Sequence, residues 1–246
     1  MTKICSSTST NVEAIDQDAS LVFRLDSVFS SDPVPAATPQ EILEFFQDPA
    51  QRNCMVSAGN TRKVEELENS YELFDLWKRR SPELGASEPG ESDSILRVEA
   101  GGMHFPGLTM TSEAYIGANL LEPSGDEYPV YEFSLIVDKQ RVEGFKIAVW
   151  IFNKLTSADD DTSKNKTVSR SRTEVTATTT EDGETIFQFH VSLTIQVFFP
   201  KLLLRILPVS KEKAEEQGSA AIGKALEKDL NNAIKILRQQ FLERRA

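Results

Sequence analysis

Residues 188–218 read QFHVSLTIQVFFPKLLLRILPVSKEKAEEQG, and the pattern changes twice within them. Beginning one residue earlier, Phe187, Phe189, Val191, Leu193, Ile195, Val197 and Phe199 are apolar, while Gln188, His190, Ser192, Thr194 and Gln196 fall between them. A period of two over this length is one strand with a dry face and a wet face, as in a half-buried antiparallel sheet. Alternation then gives way to FFPKLLLRILP, which Pro200, Lys201, Arg205 and Pro208 divide. A membrane-spanning helix needs roughly 18–20 uninterrupted apolar residues, so this segment does not span. It reads as a hinge. Pro200 ends the strand ladder because it has no N–H to donate, and Ser210, just after Pro208, is placed as a helix N-cap.

The helix that follows extends to about Arg245. Ile222, Leu226, Leu230, Ile234, Leu237 and Phe241 recur every three or four residues, which makes one apolar stripe opposite a charged face. Gly218, Ser219, Ala220, Ala221 and Gly223 crowd its first half. Small residues let a helix approach a sheet closely or leave space beside it.

Upstream, residues 1–19 are polar and expected to be a disordered tail. SLVFRLDSVF (20–29) alternates as a strand. Thr38, Pro39 and Glu41 fit the N-cap, first and third positions of a capping box, and Asp48-Pro49 should break that helix before AQRNCMV resumes it. Strands are expected in SYELFDLWKR (70–79), SILRVEA (94–100), GLTMTSEAYIGANL (107–120), VYEFSLIVD (130–138), FKIAVWIFN (145–153) and SRSRTEVTATTT (169–180). In the fourth of these, Tyr131, Phe133, Leu135 and Val137 share a face. Gly101-Gly102 reads as a turn, Glu181-Asp182-Gly183 as a hairpin turn, and 80–94 and 156–168 as loop insertions.

Composition bounds the function. The chain has 246 residues, of which 39% are hydrophobic, enough for a single domain over 20–246 with a sizeable core. A net charge of -11 argues against a broad phosphate-binding surface, so no nucleic-acid partner is expected. Cys5 and Cys54 do not make a disulfide framework, which fits a reducing compartment. The N-terminus lacks a secretory hydrophobic region and turns acidic early, unlike an Arg-rich transit peptide, so a soluble protein is expected that is not exported or has already lost a targeting segment. His104 and His190 have no cysteine pair or second histidine at ligand spacing, and Asp159–Asp161 lacks the glycine and alternating oxygens of a calcium loop. Neither a metal nor a cofactor is expected. No nucleotide-binding glycine motif or nucleophile elbow is present, and Cys54 reads as a packing residue, so no catalytic residue is assigned.

The order strand, broken helix, about seven antiparallel strands and a long C-terminal helix is α+β, with the sheet curved around that helix. It resembles the helix-grip fold of START-like and birch-pollen-allergen-like proteins. Phe198-Phe199-Pro200, Leu203, Ile206, Pro208, Gly218, Leu226 and Leu237 are similar to one family within that group, known as domain of unknown function 1997, of photosynthetic organisms. The resemblance implies a cavity between sheet and helix for a lipid, pigment or similar apolar molecule, in a carrier, chaperone or assembly factor of the chloroplast or a photosynthetic cytoplasm. The candidate lining is Ser112, Tyr131, Phe133, Thr173, Phe187, Phe189, Leu193, Ile222 and Leu226, with Thr179 as a further polar candidate and Arg170 or Arg172 at the rim. Two alternatives stand beside it: a protein-interaction module whose core is filled by these same side chains, and a cyclase- or hydrolase-like enzyme. Phe198, Phe199, Leu202–Leu204 and Leu207, with Lys201 and Arg205, have the residue types of a peripheral membrane contact, but the favoured reading is that they seal the pocket entrance or pack under the first helix.

Overall fold

A computed structural model describes residues 20–68, 71–90, 92–105, 108–122, 125–144, 167–198 and 210–246. The chain forms β1 (Ser20–Ser30), α1 (Pro39–Phe46), α2 (Pro49–Val56), β2 (Val64–Leu67), α3 (Tyr71–Leu84), β3 (Ser94–Phe105), β4 (Leu108–Leu121), β5 (Val130–Gly144), β6 (Thr167–Thr179), β7 (Thr185–Phe198) and α4 (Lys211–Arg245). The strands make one 7-stranded antiparallel sheet, ordered β1-β7-β6-β5-β4-β3-β2. It curves around α4, the helix-grip arrangement.

Local chemistry sets the helix ends. Thr38 caps α1 in a capping box with Glu41, Asp48 caps α2 through the Ala50 N–H, and Ser210 caps α4 through the Lys213 N–H. Gly183, at φ 78°, closes the β6–β7 hairpin, where the Thr180 N–H donates to the Glu184 carbonyl.

Register fixes which side chains share a face, since direct cross-strand partners point the same way. Phe189 of β7 lies opposite Phe29 of β1 and Val175 of β6, and Val175 lies opposite Tyr131 of β5. This is the inner face. α1, α2 and the C-terminal part of α4 cover it, burying Ile42, Phe45, Phe46, Met55, Ile234, Leu237 and Phe241 against the strands.

The outer face carries α3, at a place where the alternating reading of 70–79 fails. SYELFDLWKR is helix. Leu73, Phe74, Leu76 and Trp77 have helical spacing as well as partial alternation, and they pack on Ile95, Tyr115 and Ile136. Helix and strand compete over so short an apolar run, and tertiary packing decides between them. Gly117 makes the docking possible, because a Cβ there would lie 2.2 Å from the Trp77 ring. The supposed loop 80–94 therefore begins as helix. Gly85, at φ 64°, ends it, with the Ala86 N–H bonding the Ser81 carbonyl and the Gly85 N–H the Pro82 carbonyl, a Schellman closure.

Two further readings change. Gly101-Gly102 is an irregularity inside β3, where pairing with β4 shifts between Ala100 and Met103, and not a turn. Ile136 is an extra residue in β5, since Leu135 faces Ile116 whereas Val137 faces Tyr115. Val137 thus leaves the face of Tyr131 and Phe133 and joins the cluster under α3. Strand β2 is an addition that the sequence pattern did not suggest. FKIAVWIFN, most of the 156–168 insertion and, after Phe198, the hinge FFPKLLLRILP lie outside the described residues.

Candidate functional site

The inner face has two unlike ends. At one, Phe187 and Phe189 are fully buried. Phe241 of α4 meets Phe187 edge-on at 5.4 Å and Phe45 of α1 at 5.1 Å, and Tyr131 stacks on Phe133 at 4.8 Å and 3°. Offset and T-shaped contacts of this kind make a packed aromatic core.

The other end lies further along the same strands. Leu193 and Ile195 of β7, Phe23 and Leu25 of β1, and Leu135 of β5 are only half-buried there. Register places Ser169 opposite Ile195, Ser171 opposite Leu193 and Thr173 opposite Val191, so β6 presents three successive hydroxyls to the inner face of a central strand. All three are half-buried. Ser169 Oγ donates to Asp138 Oδ2 at 3.4 Å across the β5–β6 interval.

That interval opens here. Among the described residues, β5 and β6 pair only from Tyr131 to Ser134 with Arg172 to Val175, and the remaining lengths are not laddered to each other. Arg80 of α3 reaches over the gap from the outer side, its Nη2 donating to the Ser169 carbonyl at 2.9 Å and its Nη1 to the carbonyl of the bulged Ile136. Its guanidinium holds the two strands at the mouth of the opening.

Helix α4 borders this end. A Cβ on Gly218 would lie 2.2 Å from the Phe23 ring, so glycine there serves close approach, whereas one on Gly223 would meet Leu25 Cδ1 at an ordinary contact distance of 3.6 Å. Glu215 Oε1 and Ser219 Oγ accept from the Val22 and Arg24 backbone N–H groups, which satisfies edge donors of β1. Ile222 and Leu226 are half-buried, in contrast with the buried Ile234, Leu237 and Phe241.

The candidate residues thus separate. Tyr131, Phe133, Phe187 and Phe189 belong to the packed core, while Thr173 and Leu193 are cross-strand neighbours, one register step apart, at the half-buried end. Ile222 and Leu226 lie on the helix bordering that end. Ser112 pairs with Ala100 of β3 and Gln140 of β5 in the backbone register. Thr179 is exposed and bonds the Tyr128 hydroxyl at 3.0 Å. Ser169, Ser171, Leu135 and Asp138 were missed, although the alternation of SRSRTEV with the strand beyond it held the signal for the two serines.

Arg170 and Arg172 face outward and do not reach an inner-face rim. Arg172 is committed elsewhere, since it bonds Glu132, whose side chain is 1% exposed, at 2.7–2.8 Å and Glu174 at 2.5 Å. Glu132 also accepts from the Ser87 N–H at 2.8 Å, and Glu174 continues to His190 at 3.4 Å and on to Asp26 at 3.1 Å. This chain of polar contacts ties the outer sides of β5, β6, β7 and β1 together. Beside it, burial raises the Asp93 pKa above the ordinary aspartate range, with the Glu132 charge adding to the shift.

A second polar group borders the packed end. Arg52 bonds both Glu66 oxygens at 2.6 and 3.2 Å and Ser94 Oγ at 2.9 Å, and the Arg52 bonds, followed by that from Ser94, hold the Glu66 carboxyl below its usual range. Burial pushes the Tyr131 hydroxyl up to about 12 despite Arg52 nearby, so it remains a proton donor at neutral pH. Cys54 is buried against the Ala233 carbonyl, and desolvation pushes its thiol up to about 11, the opposite of an activated nucleophile. Among the described residues, no group of three or more His, Cys, Asp or Glu side chains is placed to hold a metal ion, and no helix is long and apolar enough to cross a membrane.

No protein-family model and no curated protein matches the chain. Among solved structures, it is similar to the Zhui aromatase/cyclase from Streptomyces sp. R1128 at 13% identity and TM-score 0.41, over 89% of this chain and 95% of that one. A point mutant of Thalictrum flavum norcoclaurine synthase, in complex with a transition-state analogue, is similar at 10% identity and TM-score 0.36, over 92% and 98%. Ara h 8.0201 is similar at 10% identity and TM-score 0.29, over 90% and 99%. At these values the likenesses carry no chemistry to this chain, whose helix-grip architecture stands on its own topology.

Proposed function

We propose that this protein binds a hydrophobic ligand at the half-buried end of the inner face, as a carrier, chaperone or assembly factor of the family designated domain of unknown function 1997. One observation carries the reading. Three hydroxyls, Ser169, Ser171 and Thr173, stand on the inner face of a central strand beside the apolar Leu193 and Ile195. A central strand built only for stability would present apolar side chains there, as β6 itself does with Val175 and Ala177 at the packed end. A few polar groups on an apolar wall are how ligand sites fix orientation. Leu193, Ile195, Phe23, Leu25, Ile222 and Leu226 supply the apolar contact, worth roughly 25 cal/mol per Å² buried before ordering costs.

A protein-interaction module draws support from the filled aromatic end, which leaves part of the inner face closed to any ligand. Against it, the exposed large apolar side chains among the described residues are Val28 and Tyr71, on different elements. Isolated residues of this kind do not form a docking patch. The chloroplast or photosynthetic cytoplasm is the compartment proposed, on the family resemblance alone.

The test is native mass spectrometry of protein purified from its own cells, with identification of any small molecule that travels with it. A stoichiometric apolar molecule supports the carrier reading and names the cargo. A bare protein, from preparations that retain protein partners, favours the interaction module.

A further inference from the structure

We infer that the ligand of the half-buried end carries an uncharged oxygen head group, an alcohol or a carbonyl, and not a carboxylate or phosphate; this rests on the ligand-binding reading above. The floor of that end is built by β1, β5, β6 and β7, and register sends the described cationic side chains of these strands to the outer face. Arg24 lies opposite Thr194, Arg170 opposite Thr194 from the other side, and Arg172 opposite Ser192, all outward positions of β7. Lys139 lies 4.5 Å from the centre of the Tyr115 ring, in the cluster beneath α3.

The inner positions of the same strands hold Ser169, Ser171, Thr173 and, opposite Ala114, Asp138. An anionic head seated among these hydroxyls would lose its hydration and find no cation among the described inner-face side chains of the floor, while the Arg80 guanidinium at the gap is engaged with the Ile136 and Ser169 carbonyls from the outer side. Hydroxyls, in contrast, both donate and accept, so they suit an alcohol or a carbonyl. Among the described residues, the side chains of Ser171 and Thr173 have no hydrogen-bond partner, whereas Ser169 is joined to Asp138. Strand geometry sets the two hydroxyl-bearing residues about 7 Å apart, close enough for one oxygen group between them to reach both. The apolar pairs Leu193–Leu25 and Ile195–Phe23 continue the floor beyond the hydroxyls and would receive the ligand's body.

The test uses the full-length protein and displacement of N-phenyl-1-naphthylamine, a neutral fluorescent apolar probe, by 1-dodecanol and by dodecanoate at about pH 8, where a carboxylic acid is ionised. The alcohol should displace the probe at a concentration at least about tenfold lower than the acid, the size of one net hydrogen bond gained or one unmet charge avoided. In the Ser171→Ala/Thr173→Val double variant, with folding checked by circular dichroism, the alcohol's advantage should shrink severalfold, because its hydrogen bonds are lost while the cost of burying the anion stays. Equal or stronger displacement by dodecanoate from the unmodified protein overturns the inference, and a preference that survives undiminished in the double variant overturns its assignment to these hydroxyls. If the probe fails to bind, the ligand-binding reading itself falls.

Discussion

The two ends of the inner face share the same strands, yet one is packed and the other is not. At the packed end β7 contributes Phe187 and Phe189, β6 contributes Val175 and Ala177, and α1 and α4 close over them with Phe45, Phe46, Leu237 and Phe241. A few rungs along, β7 still contributes leucine and isoleucine, but β6 has changed to serine and threonine, and α4 has changed to glycine and alanine. The sheet pairing between β5 and β6 stops at the same point. Three independent changes at one level of the fold suggest a division of labour, with stability concentrated at one end and the other released from it.

The difference can be broken first by truncation. Phe187→Ala should cost about 3–5 kcal/mol, since a fully buried ring leaves a cavity, whereas Leu193→Ala at the half-buried end should cost no more than about 1.5 kcal/mol. Urea denaturation of the two variants reads both values, and equal losses would mean that both ends are core. Arg172→Ala should cost about 3 kcal/mol or more, because it strands the buried Glu132 carboxylate beneath the last paired rung of β5 and β6. The same titration checks it.

Glycine substitutions sharpen the comparison at smaller scale. Gly117→Ala drives a methyl into the buried Trp77 ring and should cost about 1–3 kcal/mol. Gly218→Ala meets the Phe23 ring, which is half-buried where Trp77 is fully buried, and recovers up to about 1 kcal/mol of helix propensity. Its net effect should be the smaller of the two in thermal unfolding.

The acid limb offers the finest probe of the packed end. Glu66 has its pKa lowered in the fold by Arg52, so its contribution is present above its ordinary value of 4.5 and is lost as pH falls through the folded value. Asp93, with its pKa raised, acts in the reverse sense, costing stability as pH climbs through its ordinary range toward the folded value. Glu66→Gln should therefore flatten the decline of melting temperature below pH 4.5, and an unchanged slope would show that the Arg52 pair does not operate in solution.

Much of this architecture was legible in the sequence. The alternation from Phe187 to Ile195, the Thr38–Glu41 capping box and the stripe from Ile222 to Phe241 each gave local pattern and tertiary role together. α3 was not legible, because Tyr71, Leu73 and Trp77 alternate while Leu73, Phe74 and Trp77 also fit a helix, and only the sheet's outer face decides between these patterns. The Ile136 bulge and the β5–β6 opening depend on partners remote in the chain. Within the site, Thr173 and Leu193 could be nominated from alternation alone. The separation of the aromatic candidates from them could not, because it depends on where α1 and the end of α4 settle.

The most direct measurement is an amide chemical-shift titration of the isotopically labelled protein with N-phenyl-1-naphthylamine. The account predicts shifts along Ser169–Thr173, Leu193–Ile195, Phe23–Leu25 and Ile222–Leu226, with Phe187, Phe189 and Phe241 unmoved. Shifts centred on those three aromatic residues, or on the outer face around Trp77, would contradict it.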